Sequence, residues 1–209
     1  MTKLCIYHGN CADGFTSAWV VRKALGEDIQ FHHAVYGDAP PNAEGKDVLI
    51  VDFSYKRPIL EQIRDCAASV LILDHHKTAE ADLKDLPGVQ SVFDMNRSGA
   101  GLTWDYFFPN QPRPQLLNHI EDRDLWRFAL RKTREIQASV FAYPYDFNVW
   151  DFLMPADLDQ LSLEGEAIER KHFKDIRELV TVVTREFTIG GHTVPIANLP
   201  YTLTSDAGH

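Results

Sequence analysis

Short apolar runs alternate with polar, charge-rich segments through residues 1–95 of the chain. Nearly continuous stretches of Val, Ile and Leu are typical of parallel strands that are buried on both faces. Strands are predicted at 4–7, 29–35, 48–51, 69–73 and 89–93. Helices are predicted between them at 16–25, 58–67 and 78–83. This alternation predicts an α/β fold with a doubly wound, mainly parallel sheet.

After Ser98 the pattern of apolar positions becomes helical. Helices are predicted at 99–107 and 116–122, followed by a long, charge-rich helix at 158–183. The pair Gly190-Gly191 is a strong hairpin signal, because two strand-like runs flank it. Those runs are predicted at 182–189 and 193–197.

The hairpin indicates a change of domain, since an isolated pair of strands is only marginally stable. The predicted organisation is a first domain at 1–155, a helical connector at 156–184 and the start of a second domain at 185–209.

Polar side chains follow three of the predicted strands at the points where these strands end. Asp74, His75 and His76 come directly after one apolar run, and Asp52 follows another. The first strand leads into a loop that carries His8 and Asp13. Binding sites of open parallel sheets collect at the carboxyl ends of the strands, so these residues are expected to meet at one edge. Carboxylates beside imidazoles predict a divalent-metal site.

The roles of these side chains are expected to differ. Adjacent residues point in different directions, so one imidazole of the His75-His76 pair is expected to bind metal and the other to face the substrate. Asp74 is expected to orient an imidazole. Asp52, on the middle strand, can give one oxygen to each of two metals. Cys11 is either a soft ligand or a bystander, and the residues leave both readings open.

Arg97 stands just before Ser98-Gly99-Ala100-Gly101, where a helix is predicted to begin. Its guanidinium is therefore a candidate for holding a phosphate together with backbone N–H groups, although a solvated arginine is an equal alternative.

Composition limits the classes of function. The 209 residues carry a net charge of −9 at pH 7, which disfavours a protein that tracks long nucleic acids by their backbone. No apolar stretch is long enough to predict a membrane span or a secretory signal, so no membrane partner is expected. The odd count of 3 cysteines, without CxxC spacing, indicates a reducing compartment, and a cytoplasmic location is expected.

The chain resembles the DHH phosphoesterase superfamily over about residues 3–130. The motifs that carry the resemblance are His8-Gly9-Asn10-Cys11-Ala12-Asp13-Gly14-Phe15, Asp52, Asp74-His75-His76 and Asp122-Arg123-Asp124-Leu125-Trp126. The resemblance implies that residues 1–155 form a DHH catalytic domain. Residues 185–209 would be a partial DHHA1-like segment.

The resemblance also implies a two-metal site, usually of Mn²⁺, with Mg²⁺ or Co²⁺ as alternatives. The implied metal ligands are His8, Asp13, Asp52, His75 and Asp122, with Asp124 as the alternative to Asp122. Asp52 would bridge the metals and His76 would contact the phosphate under attack, with Asp74 also assigned to catalysis. Asn10 and Arg97 are assigned to substrate binding.

The expected activity is metal-dependent hydrolysis of a small phosphodiester, a nucleotide or a short single-stranded oligonucleotide, in an exonuclease-like manner. A phosphoanhydride hydrolase and a non-catalytic nucleotide-binding module are the alternatives, and a homodimer is left open. This chain departs from the family pattern at Cys11, which takes the place of the earlier of two aspartates. A glycine-rich, His-containing motif is also missing after Gly190-Gly191.

Overall fold

The computed structural model describes residues 2–208 and contains a parallel five-stranded sheet in the order β2-β1-β3-β4-β5. The strands are β1 (Lys3–His8), β2 (Ile29–Ala34), β3 (Asp47–Val51), β4 (Ser69–Asp74) and β5 (Gln90–Phe93). Helix α1 (Ala12–Leu25) follows β1, α2 (Arg57–Cys66) follows β3, and α3 (Lys77–Leu83) follows β4. The predicted α/β fold with a doubly wound, mainly parallel sheet is confirmed.

Apolar side chains cover both faces of the sheet. Alternate residues of β1 and β3, such as Ile6 and Ile50, pack with Leu60 of α2 on one face. Their neighbours Cys5 and Val51 pack on the other face, where α1 lies. Burial on both faces explains why the strands are nearly continuous apolar runs in the sequence.

The strand order reverses direction between β1 and β3, which are neighbours although β2 lies between them in the chain. Such a reversal leaves a crevice outside the carboxyl ends of the two strands, where ligands of open α/β sheets bind. His8 ends β1, and Asp52 directly follows β3. The topology therefore puts two of the predicted site residues at the switch point.

The second half of the described chain is largely helical. Its helices are α4 (Gly99–Phe107), α5 (Gln115–Asp124), α6 (Thr133–Val140), α7 (Phe147–Leu153) and α8 (Leu158–Val183). They share a core with α1, to which Phe15, Trp104, Ile120 and Trp150 contribute. Helices α6 and α7 were not predicted, because each is short and packs its apolar side chains into the core shared with the other helices. The side chain of Asp146 also caps α7 locally by accepting from the N–H groups of Asn148 and Val149.

The end of the chain forms an antiparallel hairpin of β6 (Arg185–Ile189) and β7 (His192–Ile196), followed by α9 (Tyr201–Ala207). Gly190 and Gly191 have φ values of 58° and 83°, as a two-residue hairpin turn requires. The first strand begins at Arg185 rather than at 182, because α8 continues through Val183. The division into a first domain, a connector and a partial second domain stays a prediction.

Helix α9 was not predicted, and it packs on α8. Its Asp206 accepts from Arg123 at 3.0 Å and lies 2.8 Å from Nε2 of His172. Within residues 2–208, none of the helices combines the length and the apolar character that a membrane crossing requires.

Candidate metal centre

The register of the sheet aligns the ends of three strands. Tyr7 pairs with Val51, and Val51 pairs with Leu73, so the residues that follow each of them stand side by side. These following residues are His8, Asp52 and Asp74. The register of the sheet therefore brings these three strand-end residues together at one edge, as predicted.

Asp52 lies at the middle of this edge and is 1% exposed. Its Oδ1 is 3.1 Å from Nε2 of His75, and its Oδ2 is 3.7 Å from Nδ1 of His8. The backbone φ of Asp52 is 54°, in the left-handed region that a non-glycine residue adopts at a cost. One carboxylate thus faces two imidazoles from two different segments of the chain.

Two glycines let helices approach these strand ends closely. A Cβ atom on Gly99, at the start of α4, would lie 2.3 Å from Cβ of Asp52. A Cβ atom on Gly14, in α1, would lie 2.2 Å from the carbonyl oxygen of His8. Both separations are far shorter than carbon and oxygen atoms tolerate, so any larger residue would push a helix away from the site.

Asp13 projects from the first turn of α1 and is 1% exposed. Its Oδ1 accepts a 2.6 Å hydrogen bond from Oγ of Ser98 and a 3.1 Å hydrogen bond from the N–H of Ala100. No donor among residues 2–208 forms a hydrogen bond with its buried Oδ2. One oxygen is therefore anchored to the N-terminus of α4, and the other remains available to a ligand.

Of the two aspartates at the end of α5, Asp124 lies in the cluster with Asp13 and His75. Oδ2 of Asp124 lies 3.6 Å from Nε2 of His75, and it is a buried oxygen without a hydrogen-bond donor in the described chain. Asp122, the ligand expected from the resemblance, is not in this cluster, and both of its oxygens already accept hydrogen bonds. The donors are the N–H groups of Ala129 and Leu130 and the hydroxyl of Thr133.

Three overlapping groups of side chains have ligand atoms within 4.8 Å of one another. They consist of His8, Cys11 and Asp52; of Asp13, His75 and Asp124; and of Asp52, His75 and His76. Buried carboxylate oxygens without donors are costly unless a cation compensates them. The donor atoms and their spacing therefore fit divalent cations. Asp52 belongs to the first group and also lies beside His75 of the second.

Burial and neighbouring charges shift the pKa values of the carboxyl groups in this cluster in opposite directions. Burial and the neighbouring Asp52 raise the pKa of the Asp124 carboxyl to about 6, and the same two causes raise that of Asp13. Burial would also raise the pKa of Asp52, but the His75 and His8 imidazoles outweigh it and lower the pKa to about 2. Three carboxylates share one buried space, which a bound cation would stabilise.

His76 is oriented by Asp74, as predicted. Its Nδ1 lies 2.7 Å from Oδ1 of the fully buried Asp74, whose Oδ2 accepts a 2.6 Å hydrogen bond from Ser54. The bond to Asp74 raises the pKa of His76 to about 8. Since Nδ1 is engaged, the other ring nitrogen of this half-buried imidazole is the one available to a substrate.

The two predicted substrate-binding residues have different environments. Arg97 is held in place, with Nε donating to Asp94 at 2.8 Å and Nη1 donating to Asp105 at 3.1 Å. Asn10 is exposed, in the loop before α1, with a φ of 56°. Their contact with a substrate stays a prediction.

Sequence reasoning missed two residues of the site, Ser98 and Ser54, which hold Asp13 and Asp74. Ser98 carried a usable signal, since a serine before a helix is a common N-cap, and its Oγ does accept from the N–H of Gly101. Nothing in the sequence connects Ser54 with Asp74, because their contact arises only when β3 and β4 pair.

Comparison with known proteins identifies a relative of this chain, but the name of that relative indicates no activity. No family model matches the sequence. An uncharacterized protein of Acanthamoeba polyphaga mimivirus is 35% identical over 165 residues, which cover 70% of this chain and 38% of the viral protein. The chain thus spans well under half the length of this relative.

Proposed function

We propose that this chain is a divalent-metal-dependent phosphoesterase of the DHH type, which uses two cations to hydrolyse a small phosphoester or a short oligonucleotide. One observation carries the proposal: Asp52 presents one oxygen to His75 and the other to His8, at 3.1 and 3.7 Å. These two histidines belong to different groups of ligand atoms. A shared carboxylate of this kind is what a two-metal site needs.

The chain's own residues would divide the work. His8 and Cys11 on one side and Asp13, His75 and Asp124 on the other would hold the cations, with Asp52 between them. When bound, the cations supply a Lewis acid for the phosphoryl oxygens and lower the pKa of an attacking water. Ser98 would keep the Asp13 carboxylate aimed into the site through its 2.6 Å hydrogen bond.

His76 would act on the substrate rather than on a cation. The bond to Asp74 raises the pKa of the His76 imidazole and so favours its protonated form. Its free ring nitrogen then donates a hydrogen bond to a phosphoryl oxygen, where negative charge grows during attack. Asp74 does not touch the reacting atoms in this scheme and is a positioning residue, because it holds Nδ1.

The charge of the chain favours a small substrate. A net charge of −9 weakens attraction to a long polyanion. Near the site, Arg97 is already paired with two carboxylates, those of Asp94 and Asp105. Affinity for phosphate would therefore come mainly from the cations.

The test is hydrolysis of bis-p-nitrophenyl phosphate and of a short single-stranded RNA, side by side, with Mn²⁺ and with EDTA. We expect turnover with Mn²⁺, its loss with EDTA, and about two bound ions per chain. In the Asp52→Asn variant, both ions should bind weakly, and turnover should fall about a thousandfold or more, since several kcal/mol of metal stabilisation are lost.

Asp47→Asn is the matched control, because Asp47 lies on the same strand but at its opposite end, where its carboxylate accepts from Ser69. This variant should keep metal content and turnover. A folded, metal-loaded chain without turnover on either substrate would contradict the phosphoesterase and favour a nucleotide-binding module. Unchanged turnover in Asp52→Asn would exclude the two-metal mechanism.

A further inference from the structure

Cys11 differs from the other two cysteines of the chain in its surroundings. It occupies the N-cap of α1, in the loop that leaves β1 at the switch point. Its Sγ lies within 4.8 Å of ligand atoms of both His8 and Asp52. Cys5 is buried inside the sheet, and Cys66 is exposed at the end of α2. Cys11 is therefore the cysteine that the fold brings to the candidate metal centre.

A second observation points to a ligand at this place. Oδ1 of Asp52 is buried, and no donor among residues 2–208 makes a hydrogen bond to it, although His75 lies 3.1 Å away. Asp52 belongs to the same group of ligand atoms as Cys11, and its side chain is almost fully buried. The other oxygen of this carboxylate, Oδ2, faces His8 at 3.7 Å, so the buried Asp52 side chain joins a thiol and an imidazole in a set of donors that a cation completes.

The two groups that share this space offer different chemistry. His8, Cys11 and Asp52 supply nitrogen, sulfur and oxygen, whereas Asp13, His75 and Asp124 supply one nitrogen and two carboxylates. Thiolate ligands favour softer ions such as Zn²⁺, while carboxylates suit Mn²⁺ and Mg²⁺. Any soft-metal preference of the centre would therefore come from the Cys11 side.

We propose that Cys11 binds one of the two cations through its thiolate and gives that position a preference for Zn²⁺ or Co²⁺ over Mn²⁺. The inference rests on the proposed function, because it concerns one half of the same two-metal centre. Binding breaks the S–H bond, forms a bond from sulfur to the metal, and releases the proton to solvent. Burial and the neighbouring Asp52 carboxylate raise the pKa of the Cys11 thiol in the metal-free chain, so the thiol loses its proton only as the cation binds.

Cobalt(II) spectroscopy tests the proposal on the full chain. Co²⁺ is titrated without oxygen into metal-free protein, and the absorption spectrum reports on the ligands. We expect visible d–d bands from bound cobalt and, in addition, a near-ultraviolet charge-transfer band from sulfur to cobalt. Cys11→Ser should lose the charge-transfer band, and Cys66→Ser, the matched control, should keep it.

The outcomes separate this inference from the proposed function. If wild-type protein binds cobalt without a charge-transfer band, or if Cys11→Ser keeps the band, Cys11 is not a ligand, and the two-metal centre stands without it. If the folded protein binds no cobalt at all, the inference is overturned, and the proposed function is overturned as well only if the protein also binds no Mn²⁺.

Metal competition provides an independent readout of the preference. In the Cys11→Asp variant, an oxygen donor replaces sulfur at the same backbone position. We expect the preference for Zn²⁺ over Mn²⁺ to fall by about tenfold or more, since even outer partners of metal ligands change affinity by that amount. An unchanged preference would contradict a thiolate ligand. Proton release per ion, measured in weak buffer, should be greater in wild type than in Cys11→Ser.

Discussion

Ser98 donates a 2.6 Å hydrogen bond to Oδ1 of Asp13, across 85 positions of sequence. The hydroxyl also accepts from the N–H of Gly101, so the N-cap residue of α4 holds a carboxylate of α1. Both partners are buried, and the second oxygen of Asp13 has no hydrogen-bond donor within the described residues. The bond thus decides which oxygen faces the candidate metal centre.

Removing this bond should weaken metal binding without removing a ligand. We expect Ser98→Ala to lower metal affinity about 10- to 100-fold, as loss of an outer hydrogen-bond partner typically does. Isothermal titration calorimetry with Mn²⁺ measures the change, and circular dichroism checks the fold. Because Ser98→Thr keeps a hydroxyl, it is the matched control and should retain most of the affinity. Equal affinity in wild type and Ser98→Ala would show that Asp13 does not bind the cation.

The two aspartates at the end of α5 should respond oppositely to substitution. We expect Asp124→Asn to lose one of the two cations and to keep its stability, because its Oδ2 has no hydrogen-bond donor in the described chain. Asp122→Asn should keep both cations but lose about 1–3 kcal/mol in free energy of unfolding, since hydrogen bonds to a buried carboxylate are weakened. Metal content and urea unfolding measure the two effects. The reverse pattern would restore Asp122 as the ligand.

The bond between Asp74 and His76 should matter for turnover rather than for metal content. In Asp74→Asn, the His76 ring loses the charge that orients and protonates it, and we expect kcat to fall about 10- to 100-fold. The number of bound ions should stay the same, and the alkaline limb of the pH–rate profile should move to lower pH. Loss of a cation in this variant would mean that Asp74 supports a ligand instead of the substrate-facing imidazole.

The same pair predicts a pH dependence of stability in the metal-free protein. The bond to Asp74 raises the pKa of His76 from 6.5 to about 8, so the folded state favours the protonated ring. The resulting stabilisation is fully present below pH 6.5 and is lost as the pH rises through about 8. In EDTA, the free energy of unfolding of wild type should exceed that of His76→Gln at pH 6, and the gap should narrow by pH 8.5. A gap that widens with pH would contradict the raised pKa.

The fold and the location of the site follow from short-range features of the chain. The apolar runs at 4–7, 48–51 and 69–73 predict parallel strands, and the polar residues that end them must share an edge once the strands pair in parallel. Prediction therefore reached His8, Asp52 and the Asp74-His75-His76 segment, because their position depends only on which strand each one follows.

Other features depend on rotation and contact that no local pattern encodes. Asp122 and Asp124 are two residues apart on a helix, so their side chains differ by about 200° in direction and cannot both face one site. Which of them faces the cluster depends on the rotation of α5, which is set by packing of residues such as Leu117 and Ile120 against the rest of the core.

The sequence by itself determined the α/β fold, the strands that form the parallel sheet and the polar residues at their ends. These features depend on apolar periodicity and on residue chemistry. Only the tertiary structure decided that Asp124 rather than Asp122 meets His75, that Ser98 anchors Asp13, and that Cys11 lies beside His8 and Asp52. These relationships join segments that are far apart in the chain, and they arise when helices pack closely on the sheet at Gly14 and Gly99.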